Sequence, residues 1–266
     1  MYIAATDITT IFLLSAKKLN DQTTKIGHCN TQICISERIF SPCHKSAPDF
    51  DQCIKRAFNK LNALFPKSSI RLSTGKFIIP GIPAMGVAPF DPHFAEEVRQ
   101  TRSVGGLGYK LTLRNVYERG WSQSTVTKYK TDWVNERIIY SQYFPEKWLA
   151  GDYEFQGDAF GLGVMRSGRW NLTLRDYSQT TRIKRDGSRV DVHVEVDHIG
   201  DMDIHVGNLL LGRSILEQML DRMINLTWKP GFAVIRPLIN DLVSTAFTDI
   251  WSKSFKNFPI DAFVQD

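Results

Sequence analysis

The sequence predicts an α+β fold in which a long C-terminal α-helix is wrapped by a highly curved antiparallel β-sheet, of half-barrel type. Three observations predict it. From Leu107 to Val206 the apolar residues recur with period two. After Pro230-Gly231 they recur with a helical period over a broad stripe. Ahead of both lies Gly81 to Pro92, which neither kind of element can hold. A sheet with one apolar face and a helix with a broad apolar stripe must cover each other. A strongly twisted sheet of that extent curls.

Residues 1–38 show no sustained periodicity and read as an atypical leader or a loose N-terminal arm. Ile8 to Ala16 is uncharged and mostly apolar, but no positive charge precedes it and Asp7 adjoins it. A signal peptide is therefore not clear. Residues 39–266 read as one domain, since no linker divides them. A helix begins after Asp49, which caps it. Cys53, Ile54, Ala57, Phe58, Leu61 and Leu64 share one face, and Pro66 ends it. Pro80, Pro83, Pro89 and Pro92 then keep the chain extended. The apolar Ile82, Met85, Val87 and Phe90 between them must pack on another surface.

The alternating region opens with Leu107, Tyr109, Leu111 and Leu113. Ile138, Tyr140, Gln142 and Phe144 follow, then Leu149, Gly151, Tyr153 and Phe155, then Trp170, Leu172 and Leu174. Val190, Val192, Val194 and Val196 come next, and Met202, Ile204 and Val206 complete it. Breakers separate these runs at Arg119-Gly120, Pro145, Gly157, Ser167-Gly168, Asp186-Gly187 and Gly200-Asp201. Asp186-Gly187 suits a tight hairpin. The reading is a long antiparallel meander with one apolar face. Two helical stripes close the chain. The first holds Leu216, Met219, Leu220 and Met223. The second, after Pro230-Gly231, holds Ile235, Leu238, Ile239, Leu242, Val243, Ala246, Phe247 and Ile250. Pro237 fits its first turn. From Arg236 to Lys256 this helix would be about 31 Å long.

Composition excludes several function classes. The net charge is +5 and the hydrophobic share 42%, ordinary for a globular chain. Lysines and arginines are scattered among acids. The densest basic run, Arg182 to Arg185, is closed by Asp186-Gly187, so no nucleic-acid footprint emerges. No segment approaches the roughly 18 apolar residues of a transmembrane span. There is no Gly-x-Ser-x-Gly elbow, no His-Glu-x-x-His and no phosphate loop, so the chain reads as no enzyme, with no cofactor. Asp191, His193, Glu195 and Asp197 share a strand face, but it is the one opposite the valines. They read as a charged exterior, as do Asp203 and His205, and no metal site is expected. Scattered charge and the lack of an exposed apolar stripe argue against direct membrane insertion.

All cysteines lie before residue 54: Cys29, Cys34, Cys43 and Cys53. Their spacing does not match zinc sites. Cys43 and Cys53 read as a disulfide, because Pro42 and Pro48-Asp49 turn the intervening loop. Closing it would stabilise the fold by roughly 3 kcal/mol in the chain-entropy account and implies an oxidising compartment. Cys29 and Cys34 either pair or remain thiols.

Several short matches in the right order resemble the insect takeout and juvenile-hormone-binding proteins, from about Phe40 to the C-terminus. Cys43 to Ile54 is similar to the family's early cysteine pair, and Gly81 to Pro92 to its Gly-Ile-Pro…Pro-Leu-Asp-Pro signature. Phe144-Pro145, Gly151-Asp152-Tyr153 and Trp170-Asn171-Leu172-Thr173-Leu174 are similar to its mid-chain motifs. Val206-Gly207-Asn208-Leu209 and Phe258-Pro259-Ile260-Asp261-Ala262-Phe263 are similar to its closing ones. Lys67 to Pro80 is longer than usual. Later cysteines, which hormone binders use for a second bridge, are absent, so the chain looks takeout-like.

The resemblance implies a tubular lipid-binding fold, secreted to haemolymph or a similar fluid, that carries a small hydrophobic molecule. A juvenile hormone, another terpenoid or a fatty-acid-like lipid would fit. An alternative is an extracellular signalling or interaction protein of the same fold, acting in feeding, circadian or chemosensory physiology. The chain is expected to be a monomer, with any cell-surface receptor unknown.

The expected tunnel lining is the interior face: the Leu107 to Leu113 and Ile138 to Phe144 sets, Tyr153, Phe155, Trp170, Leu172, Leu174, Val192, Val194, Leu238, Leu242 and Phe247. Gln142 and the hydroxyls of Tyr109, Tyr140 and Tyr153 need polar partners there, either a protein group or a ligand oxygen. Asn171-Leu172-Thr173 and Asn225-Leu226-Thr227 are glycosylation sequons. If Trp170 and Leu172 face inward, Asn171 faces out. Asn225 is expected near a helix end.

Overall fold

The structure is a computed structural model. It describes residues 43–64, 70–71, 77–78, 91–104, 107–159, 162–186, 189–211, 213–253 and 264–265. The leader, Cys29 and Cys34, Pro66, Lys67 to Pro80 apart from two short strands, the proline segment before Asp91 and the Phe258 motif lie outside the described residues.

The chain begins with β1 (Cys43–His44), α1 (Phe50–Leu64), β2 (Ile70–Arg71) and β3 (Phe77–Ile78). The main sheet holds β4 (His93–Val104), β5 (Leu107–Arg119), β6 (Thr125–Asp132), β7 (Arg137–Ala159), β8 (Leu162–Asp186) and β9 (Arg189–Val206). A single helix, α2 (Ser214–Lys253), follows, and β10 (Val264–Gln265) pairs in parallel with β1. Cys43 is bonded to Cys53, clamping β1 to α1.

The main sheet is antiparallel, in the order β4-β5-β7-β8-β9. β6 lies end to end with β5 along one edge of β7, joined through a 3-10 turn at Trp121–Gln123. β7 and β8 pair without interruption of register from Arg137↔Lys184 to Ala159↔Leu162. Here the structure departs from the sequence reading. Pro145, Gly157, Ser167-Gly168 and Gly200-Asp201 do not end strands. They lie inside three long ones.

Pro145 falls at the seam where the partner on one edge of β7 changes from β6 to β5. A missing N–H breaks least of the ladder there. Instead of stopping, the strands bend together. In β8, Asp176 takes a left-handed φ of 51°. In β9, Gly200 lies so close that an added Cβ would meet Asp176 Cβ at 2.7 Å. In β5, Asn115 has φ 52° beside a register shift between Arg114 and Tyr117. Each bend shifts the inward phase by one residue and curls the sheet. This is why Phe144 and Lys147 both point inward, and Leu174 and Tyr177 likewise.

β4 and β6 carry little alternation and were not predicted. β4 is an edge strand whose inward residues include the polar Gln100, bonded to α2. β6 has its own helix, α1, on its outer edge. Asn59 donates to the carbonyl of Val126 (3.0 Å) and accepts its N–H (2.7 Å), and Asp51 accepts from Thr131 N–H (2.9 Å).

α2 is also one helix, not two. Pro230 and Pro237 sit inside it. They are seven residues apart and both exposed, so the carbonyls they free lie on a wet face. α2 closes the open side of the curved sheet. Towards β9 it presents polar side chains at near-fourfold spacing. Asn225 accepts from Ile204 N–H (2.9 Å), Asn240 from Val196 N–H (3.0 Å) and Ser244 from Val194 N–H (2.8 Å), while Thr248 donates to the carbonyl of Val192 (3.3 Å). Towards β4, Asp241 pairs with Arg102 and takes Gln100 Nε2. The outermost strands β4 and β9 are thus both engaged by one helix, while α1 takes the β6 edge.

Candidate functional site

The candidate site is the concave face of the sheet with the side of α2 that meets it. The side chains expected to face inward are covered to different degrees. Phe144, Tyr153, Leu174, Val192, Val194 and Phe247 are buried, and Ile138, Tyr140 and Leu172 pack against the same clusters. Tyr109, Leu111, Leu113, Phe155, Trp170, Leu238 and Leu242 are half-buried. The side chain of Leu107 lies outside the described residues. His193, Asp191 and Asp197 face solvent. No group of metal-ligating side chains occurs among the described residues.

The two halves of this interior differ. Around Val192, Val194, Ile183 and Phe144, the C-terminal half of α2, from Phe232 to Trp251, packs against the sheet together with Trp121. Beyond the bend, the faces of β5, β7 and β8 carry Leu111, Leu113, Phe155 and Trp170, all partly exposed. This half is a trough. A separate groove of about 810 Å³ runs between β9 and α2. Asp191, His193, Glu195, Arg236 and Asp241 line it, so its walls do not suit an apolar ligand.

The packed half is less apolar than the sequence predicts. Tyr177 donates to Gln179 Oε1 (2.8 Å), and Gln179 to Thr181 Oγ1 (3.4 Å), along β8. Gln179 and Thr181 are fully buried. Burial pushes the Tyr140 hydroxyl up to about 12, offset by hydrogen bonds to Thr181 and Trp251. Burial raises Tyr177 further still, with Glu118 adding to the effect.

The centre of this network is an ion pair. Lys147 Nζ lies 2.5 Å from Glu118 Oε1, and both side chains are buried. The ammonium sits over the faces of Phe144 (4.4 Å), Trp121 (5.0 Å), Tyr177 (5.3 Å) and Phe247 (5.6 Å). Ring quadrupoles and one carboxylate replace its water. His93, paired with Glu118 across β4 and β5, is buried too. Burial lowers its pKa, and Lys147 adds to that, against Glu118 and Asp249.

Sequence reasoning missed Lys147, Glu118 and His93. Lys147 continues the phase of Leu149, Gly151 and Tyr153 backwards by one step, which was the available signal. Glu118 follows the phase shift at Asn115, which no alternation count reveals.

The tyrosine hydroxyls meet protein rather than empty space. Tyr109 donates to Gln100 Oε1 (3.0 Å) and Tyr153 to the carbonyl of Gly207 (2.8 Å). Gln142 donates to Ser124 Oγ (2.6 Å), while its Oε1 is buried without a donor among the described residues. Asn171 is exposed, with Trp170 and Leu172 half-buried. Asn225 is not near a helix end. It sits well inside α2, and its Nδ2 donates to Asp203 Oδ1 (3.0 Å) and to the carbonyl of Ile204 (3.1 Å).

A model of the haemolymph juvenile hormone binding protein family matches residues 28–265. The structure is similar to the crystal structure of Takeout 1 from Epiphyas postvittana, with a TM-score of 0.52 and 18% identity, over 81% of this chain and 96% of that one. That likeness shows the fold: a long helix wrapped by a curved antiparallel sheet. A match to lipopolysaccharide binding protein, with a TM-score of 0.25 and 12% identity over 61% of this chain and 34% of the other, bears no weight. No curated protein sequence matches the chain.

Proposed function

The chain belongs to the haemolymph juvenile hormone binding protein family, and on that footing we propose that it is a non-enzymatic carrier of a small hydrophobic molecule. The observation that supports this reading most is the trough. Leu111, Leu113, Phe155 and Trp170 line one concave face and keep part of their surface exposed. A terpenoid or fatty-acid-like ligand lying there would bury several hundred square ångströms. At about 25 cal/mol per Å² that is on the order of 10 kcal/mol before association costs. Submicromolar binding then needs little polar help.

The disulfide and the family support secretion into an extracellular fluid, and residues 39–266 would form one domain there. A ligand hydroxyl would find an acceptor in Gln142 Oε1 if it reached the packed half. Native mass spectrometry of protein from its own tissue, with displacement of a fluorescent fatty acid, tests the carrier reading. A copurified lipid and a displacement Kd below about 1 μM are expected. A clean apo mass with no displacement would leave the extracellular interaction role instead.

A further inference from the structure

The N-terminal half of α2 carries an apolar stripe turned away from the sheet. Ile215, Met219, Met223, Leu226 and Val234 are 72%, 64%, 56%, 79% and 79% exposed. They recur at i, i+4, i+8, i+11 and i+19, so they share one face over about 28 Å. Apart from Pro230, which is also exposed, no helix end interrupts the stripe. Nothing among the described residues covers it. This overturns the expectation that the chain lacks an exposed apolar stripe. A single exposed leucine needs no explanation, but a contiguous face of this length does.

The patch continues beyond the helix. Leu210 and Leu211, in the turn before α2, are exposed. Beside them stand Met165 and Val164 at the start of β8, also exposed. That strand is held to the turn by Arg166 Nε donating to the carbonyl of Leu209 (3.1 Å) and Asn208 Nδ2 donating to that of Ser167 (2.7 Å). One end of the molecule is therefore apolar on two neighbouring elements.

The charges around the stripe decide what it meets. Arg222 lies three residues after Met219 and four before Leu226, and Lys229 three after Leu226. Both are exposed and border the apolar face. The acids of this half of α2 are turned elsewhere. Glu217 is buried and accepts from Leu210 N–H (3.2 Å), and Asp221 is engaged with His205 and the N–H of Val206. An apolar helix face flanked by cations, on a chain of net charge +5, suits an interfacial helix on anionic lipid. A second copy suits it less. A twofold pairing of the stripe with itself would gather the Arg222 and Lys229 side chains of both copies with no acid among them.

We propose that this end of the molecule, the α2 stripe with the Leu210-Leu211 turn, docks reversibly on an anionic lipid surface. The contact needs no cargo, so it stands or falls separately from the carrier reading. It would bring the trough to a membrane for loading or release.

Vesicle co-sedimentation tests it, using phosphatidylcholine alone and phosphatidylcholine with about 30% phosphatidylserine, near physiological salt. The protein is expected on the anionic vesicles at least tenfold more than on the neutral ones. Met219→Asp with Leu226→Asp should weaken that binding at least tenfold. Arg222→Glu with Lys229→Glu should abolish the preference for the anionic lipid. All four side chains are exposed, so unchanged melting temperatures should accompany the losses. Equal or absent binding to the two vesicle types would overturn the proposal. So would vesicle binding indifferent to both double variants, or a dimer in light scattering that Met219→Asp with Leu226→Asp dissociates.

Discussion

Lys147 shows most sharply what one residue contributes. Its ammonium is buried with a single carboxylate, Glu118, and aromatic faces around it. Such a pair is costly to break and cheap to replace. Lys147→Ala should destabilise by roughly 3–5 kcal/mol, since it strands the Glu118 charge. Lys147→Met with Glu118→Leu should lie within about 1–2 kcal/mol of the parent, because no charge is left behind. Urea denaturation of the three proteins checks this; a double variant as unstable as the single would refute it. His93 adds a pH dependence. The folded state holds it neutral, with its pKa below the ordinary 6.5. As pH falls through that value, the unfolded chain takes up a proton that the folded chain refuses. The stability is present above the ordinary value and is lost as pH falls through the lowered one. Melting temperatures should drop from about pH 7.5 to about pH 5, and His93→Gln should flatten that part of the profile.

Among the elements, the two helices do similar work on different strand edges. α1 seals β6 through Asn59 and Asp51, and α2 seals β9 through Asn225, Asn240 and Ser244. An open edge invites pairing with other chains, so these amides protect solubility as well as fold. Asn59→Leu leaves the Val126 N–H and carbonyl without their partner and should cost about 1–3 kcal/mol. A rise in aggregation on storage should accompany it. The same bonds bear on modification. A glycan on Asn225 would replace a donor that two acceptors use. In a secreted preparation, glycopeptide mapping should find sugar on Asn171 and none on Asn225. Sugar on Asn225 would mean that the α2–β9 contact forms without the full use of that donor.

At the scale of the whole molecule, curvature is set along one line through Pro145, Asp176 and Gly200 on the three long strands, with a separate bend at Asn115 of β5, beside Asp152. The three long strands turn there together, which divides the interior into a packed half and a trough. At Gly200 an added Cβ would meet Asp176 Cβ of the neighbouring strand at 2.7 Å. Gly200→Val would drive a methyl group into Asp176 and should cost roughly 1–3 kcal/mol. Its effect on ligand displacement should exceed that of a surface valine elsewhere, because the trough shares the bend. Unchanged stability and unchanged binding would show that the sheet bends by other means.

Much of this was legible in the chain. Period two in Val190 to Val196 and in Trp170 to Leu174 is local, so each strand's inward face could be read without knowing its neighbours. The spacing of Cys53, Ile54, Ala57 and Phe58 gave α1 in the same way, and the short motifs from Cys43 onward pointed to the family. Pairing is not local. β4 and β6 escaped because an edge strand that meets a polar helix face needs no apolar alternation, and Gln100 and Asn59 carry no periodic signal. Pro145 and Gly200 read as stops because proline and glycine usually end strands, whereas here a neighbouring strand bends with them. Lys147 reads as a surface residue because it is charged, although it shares the inward phase of Leu149, Gly151 and Tyr153. The stripe of α2 reads as core, since a sequence records that a face is apolar but not what covers it. Tertiary structure decided those points, because phase shifts, buried charge and uncovered faces depend on partners distant in sequence.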